Sequence, residues 1–198
     1  MINFIDLNNS EPYKKFLNFY MKAEKYNQQY IEALCISSFS KKTDEVNSRY
    51  VNLKFVHRDE FIFFTNYNSP KSKEFEDHKQ ISGVIFWNTI NVQIRFKALI
   101  AKTSNDFNQN YFKNRSSKKN ALAISSDQSK IINSYKKVKE NYYNSLNSDN
   151  LKKCPKYWGG FYCLPYYFEF WEGHESRINK REVYDKIDGI WKHSFLQP

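Results

Sequence analysis

Between positions 92 and 100 the chain alternates with a period of two. Val92, Ile94, Phe96, Ala98 and Ile100 are apolar, and Gln93, Arg95 and Lys97 stand between them. Successive side chains of a strand point to opposite faces, so this segment fits a strand with one face in a core and the other toward water. Such a strand needs paired neighbours to be stable. Apolar, partly β-branched runs at 31–39, 50–56, 61–65, 81–87, 161–171, 183–184 and 190–193 can supply them. His57-Arg58-Asp59-Glu60 reads as a hairpin turn, and Asp188-Gly189 as a two-residue turn between the last two strands. Antiparallel strands in series with inserted helices predict a mainly β, α+β fold: a small antiparallel β-barrel decorated by helices.

Ser10-Glu11-Pro12 carries the signals of a helix start, and Phe16, Phe19, Tyr20 and Ala23 follow at helical spacing, predicting a helix over 11–26. Further helices are predicted over 70–78, capped by Ser69, and over 105–113. A longer one is predicted over 127–146, with Ile131, Tyr135, Val138 and Tyr142 on one face. Residues 147–157 read as a polar loop ending in Cys154-Pro155, and 115–119 as a basic polar patch. The whole chain, 1–198, reads as one domain, with first barrel strands over 30–102, a helical insertion over 105–146 and closing strands over 158–198.

Composition narrows the function classes. The chain has only 5 glycines and neither GxGxxG nor GxxxxGK[ST], which argues against a glycine-rich nucleotide loop. A formal charge of +10 favours anionic partners: nucleic acid, an acidic membrane surface or phosphorylated small molecules. Lys and Asn abound throughout, so part of that charge is open to a purely compositional explanation. The basic residues are scattered and match no RNA-binding motif. The 3 cysteines, Cys35, Cys154 and Cys163, form no CxxC pair and fit reduced thiols in a cytoplasmic protein. The first residues lack a signal-peptide pattern, and no run reaches the roughly 20 apolar residues of a membrane helix. Neither a nucleic-acid nor a membrane partner is expected, and no metal.

Several constellations can carry chemistry, each with a plainer alternative. Arg49 and Lys54 have opposite parity on one strand, so they can serve two anions or be solvated. Phe64-Thr65-Asn66-Tyr67-Asn68-Ser69-Pro70-Lys71 runs from strand to helix start, where amides, a hydroxyl and Lys71 suit a phosphate; an ordinary capped helix fits equally. Gln93 offers a donor and an acceptor to a heterocycle, or faces water. Tyr111 and Arg115, four apart, share a helix face if the helix persists. Gln128-Ser129 can present free amides at the start of the long helix, or merely cap it. In the run 168–181, Trp171 can cover a planar ligand, and Arg177 and Arg181 can hold anions in forked geometry.

From about residue 30 onward the chain resembles the pyridoxamine 5′-phosphate oxidases, flavin enzymes of vitamin B6 metabolism. The matching blocks are Arg49-Tyr50-Val51-Asn52-Leu53-Lys54, Phe64-Thr65-Asn66, Ser69-Pro70-Lys71, Trp87-Asn88-Thr89, Gln93, Tyr111-Phe112-Lys113-Asn114-Arg115, Gln128-Ser129, Trp158-Gly159-Gly160-Phe161 and Phe168-Glu169-Phe170-Trp171. The resemblance implies an FMN-binding split barrel, a homodimer with flavin at the interface. It implies oxidation of pyridoxine or pyridoxamine 5′-phosphate to pyridoxal 5′-phosphate, with O2 reduced to hydrogen peroxide. By position, Arg49, Lys71, Ser69 and Ser129 would engage the FMN phosphate region, and Phe64, Thr65, Gln93, Gln128, Trp171 and Arg181 would complete the flavin site. Lys54, Tyr111, Arg115 and Lys119 would hold the substrate phosphate, Lys54 also bordering the flavin. Arg177 and Asn179 would face the substrate ring as the catalytic residues.

The chain departs from the family pattern. Asn179 stands where Arg-Leu-His-Asp-Arg has its histidine, Pro70 replaces an arginine, Phe64 a tyrosine and Lys119 a serine, and the usual N-terminal extension is short or missing. Asn179 cannot change charge near neutral pH, whereas histidine can. Two alternatives stay open: a same-fold flavin oxidoreductase acting on another ring, as in phenazine biosynthesis, and a non-catalytic FMN- or B6-phosphate-binding protein.

Overall fold

The alternating segment becomes an inner strand of a ten-stranded sheet in the computed structural model, which describes residues 1–147 and 150–198. The strands are β1 (Asn3–Ile5), β2 (Ala33–Ser40), β3 (Glu45–Asn52), β4 (Phe55–His57), β5 (Glu60–Asn66), β6 (Gln80–Trp87), β7 (Val92–Lys102), β8 (Trp158–Glu172), β9 (Lys180–Ile187) and β10 (Ile190–Leu196). The helices are α1 (Glu11–Lys25), α2 (Pro70–Asp77), α3 (Asn105–Asn114), α4 (Ser117–Ser125) and α5 (Tyr135–Leu146).

Strands pair in the order β1-β4-β5-β8-β7-β6-β2-β3, with β9 and β10 branching from β8. The 15-residue β8 is the fork. Its first half pairs with β5, from Asn66↔Trp158 to Phe61↔Cys163, and its second half with β9, from Tyr167↔Asp185 to Glu172↔Lys180. Its other edge pairs with β7 from Lys102↔Phe161 to Val92↔Glu172, with a register shift at Lys97/Ala98. One strand therefore serves two sheet arms. The pairing is antiparallel except that β1, which has no sequence signal of its own, runs parallel to β4.

The apolar side of β7 forms the core floor: Val92, Ile94, Phe96, Ala98 and Ile100 are all buried. Aromatic rings fill the interior, with Phe16 of α1 lying 4.9 Å from Phe61 and Phe61 5.2 Å from Phe96. Gly83 faces Phe96 across β6–β7, and a Cβ there would lie 2.3 Å from the Phe96 ring. The glycine is what lets that ring lie over the sheet.

Several expectations need correction. The helix over 127–146 starts only at Tyr135, capped by Ser134 Oγ, which accepts from the Lys137 amide at 3.1 Å. Ser129 has φ 67, and a left-handed residue cannot continue a helix, so 127–134 is turn and coil and Ile131 is exposed. Gln128 and Ser129 thus precede the helix instead of opening it. The basic patch at 115–119 runs into the unanticipated α4, and the 50–56 run divides at Leu53-Lys54 into β3 and β4. Ser10 and Ser69 occupy N-cap positions without side-chain caps; Ser69 Oγ donates instead to the Asn66 carbonyl at 2.7 Å. Asp188 and Gly189 both have positive φ, 51 and 80, as a primed hairpin turn requires. All three cysteines are free. Residues 148 and 149 of the expected 147–157 loop lie outside the described residues.

Candidate functional site

The turn from β5 into α2 is held by its own side chains. Asn66 Oδ1 accepts the Asn68 amide at 2.8 Å, and the Asn66 carbonyl accepts the hydroxyls of Ser69 and Ser72 at 2.7 and 2.8 Å. Pro70 then opens the helix with a preset φ. Lys71 follows, its side chain buried and its Nζ 3.1 Å from Ser69 Oγ. Burial, and secondly the neighbouring Arg49 guanidinium, bring the Lys71 amine down to about 8, against an opposing pull from Glu74. Arg49 reaches in from β3. Its Nη2 donates to Glu74 Oε2 at 2.9 Å, and its Nη1 donates to Ser38 Oγ, which in turn donates to Glu74.

The chain returns to this turn from the far side of α4. Gln128 Oε1 accepts from Thr65 Oγ1 at 3.3 Å and from the Asn66 amide at 3.2 Å, and Asn66 Nδ2 donates to the Ser126 carbonyl at 3.3 Å. These bonds explain why Gln128 and Ser129 sit near β5 without belonging to a helix. Arg49, Phe64, Thr65, Pro70, Lys71, Gln128 and Ser129 all line one depression of about 580 Å3. Ser69 is fully buried behind it and supports Lys71.

A second depression of about 300 Å3 adjoins the first, sharing Phe64, Thr65, Leu122 and Gln128 and adding Arg115, Lys119 and Trp158. Phe64 and Trp158 of its lining belong to an aromatic stack with Tyr111, which itself lines neither depression. Phe64 lies 3.8 Å from Tyr111 at 15° and 5.2 Å from Trp158 at 9°. Because α3 ends at Asn114, Arg115 does not share a helix face with Tyr111. It is the cap residue, laid 4.4 Å over the Trp158 ring and bonded to Asn120 Oδ1 at 3.2 Å. Burial lowers the Arg115 guanidinium and raises the Tyr111 phenol, and each is opposed by the other. Lys54 lies apart from the lining of both depressions, paired with Glu32 at 3.3 Å.

The remaining candidates gather at the other end of β8. Gln93 is opposite Trp171 across β7–β8, and Trp171 is opposite Arg181 across β8–β9. Arg181 donates through Nε and Nη2 to buried Glu169 Oε1, each at 2.9 Å, while Arg95 pairs with Glu169 Oε2 at 3.2 Å. The connection to β9 is a tight loop. The Gly173 amide donates to the Asn91 carbonyl at 2.9 Å, the Arg177 amide to the His174 carbonyl at 3.0 Å, and Asn179 Oδ1 accepts the His174 amide at 3.0 Å. Arg177 has φ 61 and an exposed side chain. None of Gln93, Trp171, Arg177, Asn179 or Arg181 lines the two depressions within one chain.

Sequence reasoning missed Glu74, Ser38 and Asn47, which surround Arg49, and Trp158 as a site wall. The signal for Glu74 was its place three residues after Lys71, on the same helical face.

Residues 158–198 match the family model of the pyridoxine 5′-phosphate oxidase C-terminal dimerisation region. The pyridoxine/pyridoxamine 5′-phosphate oxidase of Vesicomyosocius okutanii is 30% identical over 200 residues, covering 100% of this chain and 92% of the relative. That of Colwellia psychrerythraea is 30% identical over 192 residues, covering 96% and 88%. In three dimensions the chain is similar to PhzG from Burkholderia lata in complex with tetrahydrophenazine-1-carboxylic acid, with a TM-score of 0.88, 22% identity and coverage of 96% and 93%. It is also similar to a pyridoxamine 5′-phosphate oxidase-related, FMN binding protein from Nostoc punctiforme, with a TM-score of 0.80, 10% identity and coverage of 96% and 99%. The fold is thus the FMN-binding split barrel. Together with the full-length relatives, it establishes that the chain belongs to the pyridoxine/pyridoxamine 5′-phosphate oxidase family.

Proposed function

We propose that this chain is an FMN-dependent oxidase that converts pyridoxamine or pyridoxine 5′-phosphate to pyridoxal 5′-phosphate, passing electrons to O2 and releasing H2O2. The observation that carries the reading is the convergence of Arg49 and buried Lys71 with Thr65, Gln128 and Ser129 in one depression. This donor set fits a flavin phosphate. An ammonium held near its neutral point by burial and a nearby cation regains full charge when a dianion arrives. FMN, when bound, supplies the two-electron acceptor, so the protein's task is to position and orient.

The adjoining depression suits the substrate phosphate. Arg115 and Lys119 supply charge, and the aromatic wall holds the guanidinium of Arg115 in place. Phosphate binding there uses remote contacts to align the reacting carbon, which must come within about 3–3.5 Å of its acceptor. The Gln93–Trp171–Arg181 group and the 173–179 loop complete the site in a homodimer, supplied by a second copy. The match to a dimerisation region supports that arrangement. The free cysteines support a reducing, cytoplasmic setting.

A second reading, oxidation of a different ring by the same fold, is favoured by one observation. Asn179 is committed to the loop backbone through His174, where the family pattern carries an ionisable side chain. The experiment is direct. Purified protein should be yellow or become so with FMN, and pyridoxamine 5′-phosphate should bleach the flavin anaerobically and yield peroxide in air. Flavin-loaded protein that neither vitamer phosphate bleaches supports the second reading, and protein that takes up no flavin defeats both.

A further inference from the structure

A buried carboxylate stands inside the cationic cradle. Glu74 lies on α2, one turn beyond Lys71, and is 7% exposed. Its oxygens are fully engaged: Oε2 accepts from Arg49 Nη2 at 2.9 Å and from Ser38 Oγ, and Oε1 accepts from Asn47 Nδ2 at 3.1 Å. Arg49, Pro70, Gln128 and Ser129 line both the 580 Å3 depression and a neighbouring one of about 550 Å3, and Glu74 and Asn47 line the latter. A site read as a phosphate cradle therefore keeps an acid against its own arginine. Pro70 adds no charge, so Arg49 and Lys71 face Glu74 with a formal sum of one positive charge.

We propose that Glu74 is the built-in counter-ion of the cradle, a positioning residue that holds Arg49 in the cofactor-free protein and yields it to an incoming phosphate monoester. The inference rests on the flavin reading above and adds to it that phosphate recognition here is an exchange of anions. Three features support it. Glu74 is buried and Arg49 half-buried, so the carboxylate without its guanidinium would be costly. Asn47 holds the carboxylate independently of Arg49, and Ser38, which also accepts from Arg49, donates to it as well, so Glu74 keeps two donors when the guanidinium turns away. Glu74 also draws the Lys71 amine toward its charged form, keeping that amine available to phosphate. The carboxylate thus preserves a charged cradle while competing with the phosphate for Arg49.

The test is titration of the native chain, Glu74→Gln and Glu74→Asp with FMN and with riboflavin, read by quenching of flavin fluorescence. Glutamine keeps the shape and an acceptor for Arg49 but removes the competing charge. Glu74→Gln should bind FMN at least roughly tenfold more tightly than the native chain, with riboflavin affinity within about twofold. Glu74→Asp, which keeps the charge, should stay near native for both. FMN binding to Glu74→Gln that is no tighter than native overturns the exchange while leaving the flavin reading intact. No FMN binding by the native chain overturns both. A second measurement needs no folded variant at position 74: the Arg49 guanidinium 15N resonances of the native protein should shift on adding FMN and not riboflavin, and identical spectra with the two ligands overturn the proposal.

Discussion

Asn179 closes its own loop onto His174: the side-chain oxygen accepts the His174 amide at 3.0 Å across five residues. The family pattern has histidine at this position, and an imidazole there would have to give up that bond or leave the substrate. The loop also holds Arg177 at φ 61, a conformation that a non-glycine residue keeps only when its surroundings enforce it. Asn179→His is therefore expected to give no gain in turnover of pyridoxamine 5′-phosphate. Asn179→Ala should speed amide hydrogen exchange over 174–178 and lower kcat. A clear rise in kcat for the histidine variant would show that the loop adapts and that proton handling limits the native rate.

Arg49 and Arg177 occupy different clusters and should separate cleanly. Arg49→Ala removes a charged donor from the 580 Å3 depression. Charge-assisted hydrogen bonds contribute about 1.5–3 kcal/mol, so FMN affinity should fall roughly 10- to 100-fold. Arg177→Ala should leave FMN bound and cut kcat/KM by a similar factor. The comparison is made by flavin titration and peroxide-coupled kinetics. The reverse pattern would mean that the two arginines have exchanged roles.

Lys71 gives the cradle a pH dependence with a definite sign. In the folded chain the amine is lowered to about 8, chiefly by burial and then by Arg49. Phosphate binds the protonated amine and raises its pKa, so between about pH 7, where the phosphate monoester is already a dianion, and pH 8 FMN affinity should be flat, and it should weaken as pH rises above 8. The stability effect of this group runs oppositely. Burying the charged amine costs stability below about pH 8, and that cost fades as pH rises from 8 toward the unfolded value of 10.5. Lys71→Arg, always charged, should abolish the pH dependence of FMN affinity between 7.5 and 9.5. Calorimetry in buffers of different ionisation enthalpy should show proton uptake on FMN binding for the native chain alone.

Most of the strands were legible because their signals are local. The alternation at 92–100 and the paired positive-φ turn residues Asp188 and Gly189 need only the chain's own periodicity and turn chemistry. The helix expected from residue 127 was misplaced because apolar spacing outvoted the backbone. Ile131 falls at a helical interval, yet Gln128 is drawn to Thr65 and Asn66 by hydrogen bonds spanning more than sixty residues. Those contacts have no sequence signature. The site shows the same division. Arg49, Thr65 and Lys71 were legible from chemistry and family resemblance, whereas the pairing of Glu74 with Arg49 became visible only when β3 and α2 were brought together.

Glu182 is the joint that fastens α1 to the closing hairpin, and it should govern acid stability. Its carboxylate is nearly buried and accepts from Lys15 of α1, from Lys180 Nζ at 3.0 Å, from Tyr184 OH at 2.8 Å and from His193 Nε2 at 3.0 Å. Burial alone would raise the carboxyl, but hydrogen bonds from Lys15, Tyr184 and Lys180, with the charge of Lys15, outweigh it and hold the group at about 2. A carboxylate lowered in the fold contributes stability that is fully present above its unfolded value of 4.5 and is lost as pH falls toward 2. At pH 7, Glu182→Gln should cost about 2 kcal/mol, as for charged hydrogen bonds generally. That corresponds to roughly 4–8 °C in melting temperature for a domain of this size. Urea unfolding at pH 7 and pH 3 provides the check. The gap between native and variant should narrow at the lower pH, since the unfolded chain then holds a proton on Glu182 that the folded carboxylate excludes, while the amide is unchanged. A gap that stays constant with pH would show that Glu182 acts through packing and that its charge is incidental.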